Sequence, residues 1–299
     1  MKTAFALLGM LVMGQAAAAL PTSMHPGDIV QVKIAQLHPT QATVGYREMD
    51  YKLHRYQSEP KKLFDDYCES TGQKGIKQFD QQSKISQPAS FTCKDAVGAH
   101  PSKMKTAVIA PDNQLYLTDG HHTFSIFADV DGMETPVQVR ITDDFRALKT
   151  MSAFWQKMAS RHLLWLDTPQ GKIAPEALPA VLDRQHLQND EYRSLVYFAR
   201  DVGLQKKDNP PPFLEFYWGK WLEKQLPLSG FDLSTRDGYV DAVQKIAEKV
   251  TTIPPETVIA QTDAGPLSAA DLGAMKHINK KKLRKLVSAT GKLSWAFAK

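Results

Sequence analysis

The chain has 299 residues, a formal net charge of +5 and 42% hydrophobic side chains. That is apolar material enough for the core of one large domain or two small ones, and the modest positive balance suits an anionic partner without requiring one. The two cysteines give no zinc-site spacing, no segment repeats, and past the first residues no apolar run is long enough to cross a membrane, which sets aside a zinc finger, a solenoid and an integral membrane protein.

Residues 1–19 read as a secretory leader. Met1 and Lys2 give a short positive start, Ala4 to Met13 are apolar and uncharged, and Gln15 with the alanines at 16–19 gives a small-residue cleavage pattern. The expected mature chain begins near Leu20 and is periplasmic or secreted. In that oxidising setting Cys68 and Cys93 most economically form one disulfide, two unpaired thiols being the alternative. The bridge closes a polar loop of about 25 residues, worth about 3–4 kcal/mol in the chain-entropy model.

Asp28 to Leu37 reads as a strand, Pro39-Thr40-Gln41 as a turn and Arg47 to Tyr56 as a short charged helix. A second strand, Ala107 to Ala110, turns at Pro111-Asp112-Asn113 into Gln114 to Leu117. A helix over 123–128 and an alternating strand from Pro136 to Ile141 follow. Mixed short strands and helices over residues 20–145 predict a compact α+β domain. After Asp143 the pattern turns helical. Ala153 to Leu166 is aromatic-rich, Asn189 is the expected N-cap of a helix running to Val202, and Pro210-Pro211-Pro212 introduces a helix from Phe213 to Gln225. The aromatic stripe Phe213, Tyr217, Trp218 and Trp221 has the spacing of a core face. Residues 146–226 thus form a helical extension, and 227–299 a helical basic tail. The tail's expected helices carry Tyr239, Val243, Ile246 and Val250, then Leu272, Met275 and Ile278 behind a Ser268–Asp271 capping pair. Its run from Lys280 to Lys285 reads as a solvated helix face; no aromatic residue interleaves it, so stacking on bases is not indicated.

The segment richest in chemistry is Leu115-Tyr116-Leu117-Thr118-Asp119-Gly120-His121-His122-Thr123. Strand, Asp-Gly turn and helix start in that order aim backbone N–H groups and a helix dipole at one point, a ready anion site. His121 or His122 offers an acid or base near neutral pH without metal, and Asp119 either orients an imidazole or caps the helix. Glu48 and Asp50 are further candidate acids. No compact metal-ligand cluster stands out, and no cofactor is assigned.

The hairpin with Asp119-Gly120-His121-His122 resembles the second box of the ParB/sulfiredoxin superfamily, and Ile34-Ala35-Gln36-Leu37-His38-Pro39-Thr40-Gln41 resembles its first. With Val44-Gly45-Tyr46, Lys52, Asn189-Asp190-Glu191-Tyr192-Arg193-Ser194-Leu195 and Phe213-Leu214-Glu215-Phe216-Tyr217-Trp218, the pattern is similar to the family described as putative ParB-like nucleases over about residues 30–225. The resemblance implies a small mixed-sheet α+β domain whose second-box turn binds phosphates of a nucleotide or nucleic acid. By position it puts Gly120 and His121 at the phosphates with His122 beside them, Lys52 facing the turn from the first helix, and Gln41 and Thr123 in the same phosphate-binding set. Superfamily members bind and hydrolyse CTP, repair sulfinic acids with ATP, or phosphorylate free serine. A histidine stands here where sulfiredoxins carry the reactive cysteine, which disfavours that activity. Thr123 replaces an arginine common among relatives and removes its charge-assisted phosphate contact. The reading is a phosphodiester hydrolase acting on nucleic acid. The alternatives are a nucleotide-dependent phosphotransferase, disfavoured by export, and a non-catalytic binding module, favoured by Thr123.

Overall fold

The computed structural model describes residues 23–205 and 210–298; the leader-like segment lies outside them. Among the described residues there are thirteen strands and nine helices, and eight of the strands fall in the first half of the chain. Those eight are β1 (Ile29–Lys33), β2 (Leu37–Pro39), β3 (Thr43–Val44), β4 (Ile76–Gln78), β5 (Thr92–Cys93), β6 (Lys105–Ile109), β7 (Leu115–Asp119) and β8 (Pro136–Asp144). The helices are α1 (Tyr46–Ser58), α2 (Pro60–Ser70), α3 (His121–Asp131), α4 (Met151–Ser160), α5 (Glu191–Ala199), α6 (Leu214–Gln225), α7 (Arg236–Thr252), α8 (Lys280–Val287) and α9 (Lys292–Ala296).

A mixed five-stranded sheet in the order β1-β8-β6-β7-β2 carries the first half. Its centre is the β6–β7 hairpin, turned by Asn113 in the left-handed conformation (φ +59°) with Asn113 N–H donating to the Ala110 carbonyl. The expected single strand over 28–37 is instead two. The N–H groups of Ile34 and Ala35 turn away to the carbonyls of Thr135 and Met133. The chain thereby leaves β8 at one edge, antiparallel to β1, and reaches β7 at the other, parallel to β2. That crossing brings Pro39-Thr40-Gln41 alongside the end of β7, where the site lies.

Alternation along the strands feeds two cores. Ala107, Ile109, Leu115, Leu117, Val137, Val139 and Ile141 face one side and pack with Phe64, Tyr67, Phe124 and Phe127. Val108 faces the other side, where Phe145, Phe154, Trp155 and Met158 cover it. The Cys68–Cys93 disulfide ties the end of α2 to β5, with Cys68 fully buried in the first core.

A third core joins α5, α6 and α7 through Leu195, Phe198, Trp218, Tyr239, Val243 and Ile246. Trp218 from the aromatic stripe is fully buried there and donates its indole N–H to the Leu272 carbonyl at 3.0 Å. Ser268 and Asp271 make their reciprocal capping bonds, but no helix follows. Gly273 takes a left-handed φ of +81° and its carbonyl accepts from Gln205 N–H, so 272–278 runs as turns and the next helix is α8. An antiparallel hairpin, Val258–Thr262 with Gly265–Ser268, also interrupts the tail. The tail returns to α1: Arg47 donates to the Ala296 carbonyl at 3.3 Å, and its guanidinium lies 4.1 Å from the Phe297 ring centre. Among the described residues no helix is long and apolar enough to cross a membrane.

Candidate active site

β7 ends at Asp119 and α3 begins at His121, so one residue makes the turn. Gly120 does so at φ +115° and is the N-cap of α3, with no side chain bonded to the helix end. The first N–H groups of α3 have no intrahelical acceptor, and they open with the positive end of the helix dipole onto a cleft lined by Gly120, His121, His122 and Thr123. Asp119 is not the cap. Its carboxylate is 60% exposed and accepts from the Lys105 ammonium at 3.1 Å.

The two histidines point apart, as adjacent helical residues must. His121 Nε2 accepts the Thr40 backbone N–H at 2.9 Å, while the Thr40 hydroxyl donates to the Leu117 carbonyl at 2.7 Å. His122 Nε2 accepts the Gly45 N–H at 2.8 Å, at the start of α1. Ring nitrogens that accept backbone N–H groups belong to neutral imidazoles. Burial drives His121 down to about 3, helped by His122 and Lys105. Burial likewise drives His122 down to about 4; Glu215 opposes that shift and Lys105 and Arg200 add to it. At neutral pH neither ring carries the proton an acid gives, and the lone pair a base uses is engaged. In this geometry both stitch the turn to Thr40 and Gly45. Gln41 belongs to the same stitching: it is buried beside the cleft and donates its amide to the Thr43 carbonyl at 2.6 Å.

Asn189 is not the cap of its own helix. Gln188–Asn189 pairs as a parallel strand with β3, which keeps Asn189 extended and passes the cap to Asp190, whose carboxylate accepts the Arg193 N–H at 2.9 Å. Asn189 serves α1 instead, accepting the Tyr46 N–H at 2.9 Å. α5 is thereby fixed against α1 with Arg193 turned inward. Its guanidinium donates to the Glu48 carboxylate, which lies 3.8 Å from His122 Nε2. Arg193 Nε is buried with no hydrogen-bond partner.

The far wall is the entry to α6. After Pro210-Pro211-Pro212, Phe213 takes a left-handed φ of +61° and caps α6 without a side-chain bond. Phe213, Leu214 and Glu215 line the cleft, so a second uncapped helix N-terminus opens into it. Glu215 accepts from Arg200 at 2.6 Å. Burial alone would raise Glu215, but Arg193 and Arg200 outweigh it and hold the carboxyl at about 2. The cleft encloses about 690 Å³. Among the described residues its charges are matched as Lys105–Asp119, Arg161–Asp143, Arg193–Glu48 and Arg200–Glu215. Each arginine keeps further N–H groups beyond those its carboxylate occupies.

Asp119, Gly120, His121, His122, Thr123 and Gln41 therefore come together at one cleft. Lys52 does not join them. It donates to Asp66 on α2, a carboxylate that also accepts the Tyr56 hydroxyl. Asp50 is also turned elsewhere, to Arg47 and Arg184. Among the described residues, the cations lining the cleft are Lys105, Arg161, Arg193 and Arg200. Arg193 and Glu215 stand inside motifs legible in the sequence, whereas Lys105 and Arg161 carry no local signal.

The family model described as “Putative ParB-like nuclease” matches residues 30–224. A crystal structure of protein Atu1540 from Agrobacterium tumefaciens is similar in fold, with a TM-score of 0.52 at 21% identity, covering 76% of this chain and 95% of that one. No protein with a curated description matches.

Proposed function

We propose that this chain, which belongs to the family described as putative ParB-like nucleases, holds a nucleic-acid phosphodiester in the cleft at Asp119–Thr123 and hydrolyses it. One observation carries the reading. Two helix N-termini without side-chain caps, those of α3 and α6, open onto the same cleft as Arg193 and Arg200. Such ends, joined by guanidinium groups, favour the oxygens of a phosphate.

Phosphodiester hydrolysis needs charge stabilisation and a proton acceptor for the attacking water. In the proposal the N–H groups of Gly120 to Thr123, the Thr123 hydroxyl and the spare guanidinium N–H groups hold the phosphate oxygens. Asp119, at the lip beside Lys105, takes the proton of the water whose oxygen attacks phosphorus. The phosphorus–oxygen ester bond breaks, and the leaving oxygen takes a proton from solvent. His121, His122 and Gln41 hold the turn in place. Residues 1–19 act as an export leader, and the Cys68–Cys93 bridge suits the oxidising compartment beyond. Nucleoside triphosphates are scarce there, which weighs against a phosphotransferase. The binding-module reading has its own support, since both imidazoles are engaged with backbone N–H groups.

The test incubates the purified mature chain with end-labelled DNA and RNA, single- and double-stranded, and in parallel with ATP and free serine. Cleavage that Asp119→Asn abolishes is the expected result. Binding without cleavage leaves the binding module, and serine phosphorylation leaves the phosphotransferase; either outcome overturns the hydrolase.

A further inference from the structure

A second cavity, of about 210 Å³, lies on the other side of Arg200, which lines both. Its charged lining is unlike that of the main cleft. Arg55, Arg200, Lys282, Lys285 and Lys292 face a single carboxylate, Asp201. Among the described residues no carboxylate lies within ion-pair distance of Lys282, Lys285 or Lys292. Lys292 is half-buried over the Tyr197 ring, its ammonium 4.5 Å from the ring centre. Burial first, then Arg200, Lys52 and Arg55, push its ammonium down to about 8, against the pull of Asp201. Arg55 and Arg200 are paired outside the cavity with Glu59 and Glu215, so the excess charge is that of the three lysines, and it is stabilised by an incoming anion.

The fold also supplies what the basic run lacks in sequence. Leu283 and Leu286 turn inward while Lys280, Lys281, Lys282, Arg284 and Lys285 stay exposed, so α8 presents a solvated positive face. Trp295 of α9, partly exposed, lines the cavity beside that face. Cations with an aromatic ring at their edge, continuous through Arg200 with a phosphate cleft, match the pattern that binds a single strand: charge along the backbone and a surface on which a base stacks.

We propose that the second cavity binds a further backbone phosphate of the strand whose scissile phosphodiester occupies the main cleft, with a neighbouring base stacked on Trp295. The inference rests on the nucleic-acid reading above and deepens it. The enzyme then grips a strand rather than a lone phosphodiester, and α8 sets the minimum length it holds well.

The experiment measures fluorescence anisotropy of the mature chain with a labelled dinucleotide and with a single strand of about 20 nucleotides, over a salt series. The long strand is expected to bind more tightly than the dinucleotide. Lys282→Gln with Lys285→Gln, both exposed, should weaken the long strand about 10-fold and make its salt slope about 0.7 shallower, since each phosphate neutralised on a single strand adds about 0.7 to that slope. Trp295→Phe should remove the part of the tryptophan fluorescence that the long strand quenches. Equal binding of dinucleotide and long strand, or an unchanged slope in the double variant, overturns this inference and leaves the hydrolase reading standing. No binding of either probe removes both. Phosphatidylglycerol vesicles captured through the two lysines, with no strand bound, would assign the cavity to a membrane surface and overturn the proposal.

Discussion

Arg193 on α5 donates to Glu48 on α1 across 145 residues of sequence, and both line the cleft with His122, whose Nε2 lies 3.8 Å from the Glu48 carboxylate. The side chains are 9% and 10% exposed, so solvent screens their interaction little. Arg193 itself is driven down to about 10, mainly by burial and against the pull of Glu215. The pair joins the α1 side of the sheet domain to the helical half at the site itself.

Removing one partner of such a pair leaves a buried charge without compensation, and costs about 3–5 kcal/mol. Arg193→Met is expected to lose stability on that scale. Arg193→Met with Glu48→Leu should lose less than the sum of the two single variants, because the stranded charge goes too. Urea denaturation of the three variants checks it, and additive losses would show that the two residues do not act as a pair.

Much of this site was legible because its parts are local. The β6–β7 hairpin follows from alternation around Pro111-Asp112-Asn113, and the turn at Gly120 from an Asp-Gly step between strand and helix. What the sequence hides is where distant polar groups are spent. Asn189 and Asp190 are equally good caps by type; strand pairing with β3 decides between them and sends Asn189 to Tyr46. Lys52 lies one turn beyond Glu48 and shares its helix face, but the charge of Asp66 on α2 claims it. Arg193 and Glu215 were visible as motif members, without any sign that both line one cleft with His122.

The disulfide closes a loop that burial orders only at a few points, Ile76, Ile85 and Phe91 among them. Cys68→Ser with Cys93→Ser is expected to cost about 3–4 kcal/mol, mostly by freeing the unfolded chain. The variant's urea midpoint should match that of the reduced wild type. A difference between them would mean that the serine hydroxyl, fully buried at position 68, adds a cost of its own.

Acid should unfold the protein from an unusually high pH. His121 and His122 sit at about 3 and about 4 when folded and near the ordinary 6.5 when unfolded. Between about pH 6.5 and 4 the unfolded state binds more protons at both positions, so stability falls as pH falls. Asp190, raised to about 6 by burial, works the other way between its unfolded value and 6, and offsets part of one histidine's contribution. Glu215, held at about 2, adds a further loss only below about 4.5. Urea midpoints should change little between about pH 7 and 8, where none of these histidine or carboxyl steps falls, and drop steeply toward pH 5. In His121→Gln, whose amide oxygen can accept the Thr40 N–H, that drop should be shallower. An equally steep fall in the variant would put the acid sensitivity elsewhere.

Gly120 and Asp119 are neighbours that should separate binding from chemistry. A Cβ at position 120 would meet Lys105 Cγ at 2.9 Å and its Cβ at 3.1 Å, on a backbone whose φ of +115° already strains any L-residue. Gly120→Ala is therefore expected to cost about 1–3 kcal/mol and to turn the first N–H groups of α3 away from the cleft. Affinity for the nucleic-acid strand should fall with it, and cleavage should fall in proportion at low substrate. Asp119→Asn changes no backbone and removes one negative charge from an exposed lip. It should keep or tighten binding while losing cleavage. Anisotropy and gel assays on the two variants make the comparison. If Gly120→Ala binds as tightly as wild type, the helix end is not what holds the phosphate, and the arginines alone must do so.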